Sequence, residues 1–370
     1  MYDNRQKIIT VLIIITLIFS LFTLFVSSEG VLTLSARAAV LYEPETERFV
    51  YTKNADEKLG MASTTKIMTA LVALENLDPD ETVAIDDRAV GLEGSSIYLK
   101  HGEIMNAEGL IYSLMLQSAN DAAAALAYHL SGSIEEFARL MNDKAKAIGL
   151  QSTNFTNPHG LDDKMHYTSA RDLALITAEA LKNEKFKQIV STERIRVESS
   201  DSVRLLTNHN KLLKNYDGCI GVKTGYTKRC GRCLVSAAVR DELTFISVTL
   251  DAPNDWSDHE KMLDLGYSLM RAEIVCAPGD FYYEIPIING KRDYVSACCD
   301  SVRKVISYKT DSEIRSHVKL SRYFSAPINN GDVLGCVIFT RDGKEIAREY
   351  IVAVECVEAR KNKRKLFTYI

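Results

Sequence analysis

Apolar positions recur at intervals of three and four over residues 61–77 (MASTTKIMTALVALENL), and the same period returns over 107–116, 121–130, 134–148 and 170–181. That spacing predicts helices that bury one face. Ahead of this block, residues 38–52 (AAVLYEPETERFVYT) form two short apolar runs around the turn-like Glu43-Pro44-Glu45-Thr46, which predicts a pair of strands. Near Ile195 the period changes to alternation, and 218–250 predict a meander of three strands with turns near 229–231 and 240–242. A helical pattern over 261–272 closes the region. Strands, then helices, then strands point to an α/β fold in which one sheet is covered by a helical cluster.

Beyond Glu273 the texture changes to short β-branched and aromatic runs (FYYEIPII, KVISYKT, VLGCVIFT, EYIVAVEC) separated by Asn-Gly, Asn-Asn-Gly-Asp and Asp-Gly. Those are hairpin signals and predict a small all-β domain over 274–358, followed by a short basic tail, 359–370. At the other end, MYDNRQK carries Arg5 and Lys7, and Ile8 to Val26 contains no charge. This first segment, 1–30, is an export signal or a membrane anchor. Its length, close to the roughly 20 residues a spanning helix needs, leans toward an anchor. Cleavage at Ser27-Ser28 or at Ala36-Arg37-Ala38 stays open. In either case the body of the protein, from about residue 31, is expected outside the cytoplasmic membrane or in the cell wall.

Composition adds limits. The chain has 370 residues, 46% hydrophobic and 25% charged, enough for two domains with a core each. A net charge of −4 and a pI near 6.0 give no electrostatic case for nucleic acid as a partner. The eight cysteines fall within apolar runs, so buried thiols are the simpler reading. Cys230-x-x-Cys233 lacks a second pair or a His-x-x-x-His partner, which argues against a metal site.

Lys66 is out of place, because the first turn of a helix favours acidic residues. Three residues apart on a helix, Ser63 and Lys66 share a face, so an amine of lowered pKa could act as a base toward the serine hydroxyl. Alone, S-x-x-K is equally a cap beside a solvated lysine. Ser118-Ala119-Asn120 breaks two helical patterns, and Lys223-Thr224-Gly225 sits in a strand where glycine admits a second backbone. The three together are far less expected by chance than any one.

This trio resembles that of the penicilloyl serine transferases, and MASTTKIMTALVALE, SLMLQSANDAAAALAYHLSGS, FARLMNDKAKAIGL, STNFTNPHGLDD, YTSARDLALI and GVKTGYT are similar to the D-alanyl-D-alanine carboxypeptidases among the low-molecular-mass penicillin-binding proteins. The resemblance runs from about residue 36 to about 266 and continues loosely into the β-domain at SAPINNGDVLGCVIF. It implies a β-lactamase/transpeptidase-like catalytic domain over 31–273, with an antiparallel sheet under helices. It implies that Ser63 attacks the carbonyl between two D-alanines of a peptidoglycan stem peptide, with Lys66 taking its proton. Ser118 would relay a proton to the leaving amine, and Asn120 would hold the substrate amide and Lys66. Lys223 and Thr224, beside Gly225, would bind the terminal carboxylate, and the amides of Ser63 and Tyr226 would form the oxyanion hole. β-Lactams would acylate Ser63, and no cofactor or metal is implied.

One departure stands out. The region after the third strand reads DAPNDWSDHEK and lacks the arginine with which some relatives assist carboxylate binding. Trp256, His259 and His159 read as structural residues, and Arg171 and Asp172 as the start of a helix. Two rival functions carry the same trio. A serine β-lactamase would need a loop glutamate, whereas Glu179 falls in a helical run; a sensor acylated without turnover would need a cytoplasmic domain larger than the few residues before Ile8.

Overall fold

The computed structural model describes residues 32–360; the uncharged run 8–26 and the end of the basic tail lie outside the described residues. Strands β1 (Ala38–Glu43) and β2 (Arg48–Lys53) form the expected hairpin. A 3-10 turn over Ala62–Thr65 then enters α1 (Lys66–Asn76), where the sequence predicted one continuous helix. Helices α2 (Ala107–Leu116), α3 (Asn120–Ser131), α4 (Ile134–Ile148), α5 (Ala170–Ala180) and α6 (Glu184–Ser191) follow. Two small antiparallel strand pairs accompany them, β3 (Thr82–Ala84) with β4 (Ile104–Asn106) and β5 (Arg194–Glu198) with β6 (Val203–Thr207). After the short helix α7 (Leu212–Asn215) come β7 (Cys219–Thr227), β8 (Gly231–Arg240), β9 (Leu243–Leu250) and helix α8 (Asp255–Leu269).

The two ends of this region zip into one antiparallel sheet of order β2-β1-β9-β8-β7, which leaves β7 as a free edge. Alternation along the strands divides the side chains between two buried faces. Val40, Val248 and Val235 lie in register and belong to the core shared with the helical cluster. Leu41 and Phe245 face the other way, where Gly266 of α8 comes so close that a Cβ would stand 2.9 and 2.8 Å from their side chains. At the centre of the cluster α1 is buried on every side from Lys66 to Ala73, packed among α2 to α6.

The helix predicted over 261–272 begins earlier and ends at Leu269. Asp255 and Asp258 suit a helix N-terminus, and Met270–Cys276 alternates and pairs with Arg303–Tyr308. The domain boundary expected at 273 therefore falls inside a strand. Beyond it the strands among the described residues include a six-stranded sheet cored by Ile285, Val295, Val337, Phe339 and Ile351, with no helix. Lys304 joins the two parts through Glu45 (2.7 Å) and the Glu242 carbonyl (2.9 Å), and Arg48 lies over the Tyr308 ring at 5.7 Å. Among the described residues no helix is long and apolar enough to cross a membrane.

Candidate active site

Helix capping first separates ordinary helix starts from unusual ones. Asn106, Ser133, Ser169 and Asn183 cap α2, α4, α5 and α6 with their side chains, as such residues do. No side chain caps α1 or α3, whose first residues are Lys66 and Asn120. Ser63 and Ser118 thus cap nothing. Both lie at strained backbone, with Ala62 at φ +48° and Ser118 at φ +59°, a region where side chains other than glycine cost about 1–3 kcal/mol.

The Lys66 amine is fully buried and meets Ser63 Oγ at 3.0 Å, Asn120 Oδ1 at 2.7 Å and the His159 carbonyl. Burial, with the Lys223 charge second, holds its pKa well below the ordinary lysine range, while Asp121 opposes the shift. A neutral amine has two N–H donors and one lone pair. The Asn120 and His159 oxygens can only accept, so they take both donors. The lone pair is left for Ser63 Oγ, the one partner able to donate a proton.

Neighbouring groups hold this arrangement in place. Asn120 Nδ2 donates to the Glu93 carbonyl (2.6 Å) and the Asn120 amide to Ser95 (2.7 Å). Asp121, buried beside it, accepts from Ser96 Oγ (2.6 Å) and from the amides of Ile97 and Leu99 (3.2 and 3.0 Å), fixing the loop that passes Asn120. His166 Nδ1 accepts from the Thr156 amide at 3.0 Å, which assigns the ring proton to Nε2. That N–H donates to Thr65 Oγ1 (2.8 Å), and Thr65 donates to the Ala62 carbonyl (2.7 Å). Burial lowers the His166 pKa to about 4 and the His159 pKa to about 3, so both rings are neutral near pH 7. Gly160 is obligatory, because at φ +88° a Cβ would lie 1.9 Å from the Ala62 carbonyl.

Edge strand β7 closes the site. At Gly225 a Cβ would stand 3.0 Å from the Ser63 nitrogen and 3.1 Å from that of Thr64, so the missing side chain lets the strand lie against the serine turn. Thr224, Gly225 and Tyr226 line a cleft of about 380 Å³ with Ser63, Ser118, Ser95 and Trp256. Tyr226 is 64% exposed at its rim. Lys223 is instead 1% exposed, donates to the Thr224 carbonyl at 2.8 Å, and has its pKa pushed down to about 7 by burial. It is not among the residues that line the cleft, although its charge acts on Lys66 and on His209 of the lining.

All the sequence-predicted site residues are thus gathered around one cleft, with Lys66, Asn120 and Lys223 beneath its surface. Sequence reasoning missed Ser95, His209, Lys211, Arg232 and Asp255, which complete the lining. A signal existed for Arg232, since a hairpin turn near 229–231 places it opposite Tyr226. Trp256, read as structural, also lines the cleft. His159 contributes its carbonyl, while His259 is a core residue bonded to Thr249 Oγ1 at 2.9 Å. Cys230 and Cys233 are buried thiols raised by burial, Cys233 to about 12, and Cys230 donates to Asp162 at 3.2 Å.

The sequence pattern of the D-alanyl-D-alanine carboxypeptidases of peptidase family S11 matches residues 25–254. The D-alanyl-D-alanine carboxypeptidase DacF of Bacillus subtilis is 34% identical over 331 residues, covering 86% of this chain and 85% of that relative. Among solved structures, the D-alanyl-D-alanine carboxypeptidase DacD of Francisella tularensis superposes with a TM-score of 0.65 at 28% identity, covering 89% of this chain and 95% of its own. Penicillin binding protein 5 of Haemophilus influenzae gives 0.64 at 28%, covering 88% and 98%. The Streptomyces K15 DD-transpeptidase gives 0.61 at 34%, covering 64% of this chain and 98% of its own.

Proposed function

The chain belongs to the D-alanyl-D-alanine carboxypeptidase family, and from that premise we propose that Ser63 is the nucleophile that removes the terminal D-alanine of peptidoglycan stem peptides, with Lys66 as its base. The chain is a serine-type carboxypeptidase that binds penicillin covalently, as this family does. The observation that carries the residue assignment is the Lys66 amine. It lies 3.0 Å from Ser63 Oγ, and its other two partners, the Asn120 and His159 oxygens, can only accept, so a neutral amine there would offer its lone pair to Ser63.

In this reading Ser63 Oγ attacks the carbonyl between the two D-alanines as its proton passes to Lys66. The amides of Ser63 and Tyr226, brought together where Gly225 meets the serine turn, receive the developing oxyanion; each such donor lowers a barrier by roughly 3–4 kcal/mol. Ser118 passes the proton to the departing D-alanine nitrogen, and Asn120 holds the substrate amide. Water then releases the shortened peptide. Thr224 binds the terminal carboxylate from the cleft wall. Lys223, because it is buried, acts through its field, which helps to keep Lys66 neutral.

The β-lactamase alternative loses support from Glu179, which pairs with Lys144 (3.3 Å) and Lys182 (2.9 Å) on α5, outside the cleft. The uncharged run 8–26 supports export, with the membrane as its attachment. Incubation of the chain without residues 1 to 30 with diacetyl-Lys-D-Ala-D-Ala tests the assignment. Free D-alanine that disappears in Ser63→Ala is expected. Stable penicillin labelling without D-alanine release would favour a sensor, and rapid penicillin hydrolysis a β-lactamase.

A further inference from the structure

A peptide that ends in a free carboxylate needs a fixed cation at the cleft wall, and the lysine of the third motif does not reach that wall. Lys223 is 1% exposed and its ammonium is turned onto the Thr224 carbonyl. The lysine and arginine that do line the cleft are Lys211 and Arg232. We infer that Arg232, braced by Asp255, is the group that receives the terminal carboxylate of the substrate, alongside the Thr224 hydroxyl. This inference rests on the carboxypeptidase reading and names the charge that selects its substrate.

Register places Arg232 there. Strands β7 and β8 pair Tyr226 with Arg232 and Thr224 with Leu234. Paired residues in an antiparallel ladder project to the same face, so Arg232 stands beside the two residues of β7 that form the wall of the cleft. The brace is one-sided. Asp255 is 2% exposed, and its Oδ1 accepts from Arg232 Nε at 3.0 Å and from the Trp256 amide at 3.0 Å. Arg232 Nη2 lies 3.0 Å from the same oxygen, yet the arginine side chain keeps 43% of its surface exposed. A guanidinium carries five N–H donors, so one edge can bind a buried carboxylate while the other meets a second one. Holding the first edge removes much of the rotamer freedom that binding would otherwise have to restrict. Lys211, exposed on the rim, offers a compact charge on a flexible stem without that fork geometry. Arg232 therefore supplies the cation that DAPNDWSDHEK lacks, from a strand that precedes that segment.

Two substrate pairs that differ only in the carboxylate test this. The first is diacetyl-Lys-D-Ala-D-Ala against the same peptide ending in D-alaninamide, read as kcat/KM; the second is benzylpenicillin against its methyl ester, read as the acylation rate of Ser63. In Arg232→Ala the preference for the carboxylate member is expected to fall roughly 10- to 100-fold in both pairs, the scale of one charge-assisted hydrogen-bonded contact. Arg232→Lys should recover part of it. A purely structural role would slow both members of each pair alike, and that result overturns the inference. So does a preference that survives in Arg232→Ala and collapses in Lys211→Ala. The penicillin pair keeps the two claims apart: an enzyme that is acylated but releases no D-alanine refutes the carboxypeptidase reading while still reporting on Arg232.

Discussion

Lys66 sits at the start of α1, where helix electrostatics disfavour a cation, and burial makes the ammonium costlier still. Both effects push the amine toward the neutral form that a base requires. Lys66→Arg keeps a charge that cannot be given up, so acylation by penicillin should fall by about 10³-fold, within the range of lost general-base catalysis. Acylation in the wild type should rise with pH along a limb set by Lys66, below the range of a free lysine. The Lys223 charge lowers the Lys66 pKa, so in Lys223→Met that limb should move to higher pH; a limb that stays in place or moves down contradicts the role given to Lys223. Gly225→Ala tests contact rather than charge. A Cβ 3.0 Å from the Ser63 nitrogen moves the strand off the serine turn by a few tenths of an ångström, and since a misplacement of about 1 Å costs about 100-fold in rate, a smaller but measurable loss of acylation is expected. Stopped-flow acylation with a thermal melt separates that loss from unfolding.

Among the elements, the most legible in the sequence were those with a strong period: the helices of the cluster, the first hairpin and the meander β7 to β9. The serine turn was read as helix because MASTTKIM carries helical spacing straight through it, whereas the chain makes a 3-10 turn that leaves Ser63 free of capping. The motif residues were legible as three short strings, but their union depends on β1 pairing with β9 across the length of the domain, which no local pattern announces. Arg232 went unread as a site residue because the local hairpin turn near 229–231 signals its place opposite Tyr226 but not that this pair lines the cleft. Asp121 shows an element held by one residue. Its carboxylate binds the Ser96 hydroxyl and two amides of the loop at 96–99, so Asp121→Ala should cost about 3 kcal/mol or more by leaving buried donors unpaired. Denaturant unfolding measures that, and a loss under 1 kcal/mol would show the loop to be held by other contacts.

At the scale of the whole molecule, two buried lysines set a pH dependence of stability. A lysine with a lowered folded pKa binds fewer protons folded than unfolded, so stability rises with pH across the window between the two values. For Lys223 that window runs from about 7 upward to the ordinary lysine range. Lys223→Gln should flatten the rise in melting temperature between pH 7 and pH 10, and an unchanged slope would contradict the burial of its charge. Among the described residues the β-domain joins the catalytic body through Met270–Cys276, one ion pair, Lys304–Glu45, and contacts of Lys304, Lys309 and Tyr308, while every residue lining the cleft precedes it. A chain of 36–269 should therefore still be acylated by penicillin at close to the full-length rate, although less stable, and loss of acylation in a folded truncation would give the β-domain a part in the site. The central claim, that Ser63 activated by Lys66 carries the reaction, is tested most directly by trapping the acyl-enzyme with penicillin and mapping the adduct by mass spectrometry. The account predicts one adduct, on the peptide that contains Ser63, absent in Ser63→Ala; an adduct on any other residue, or one that persists in Ser63→Ala, would contradict it.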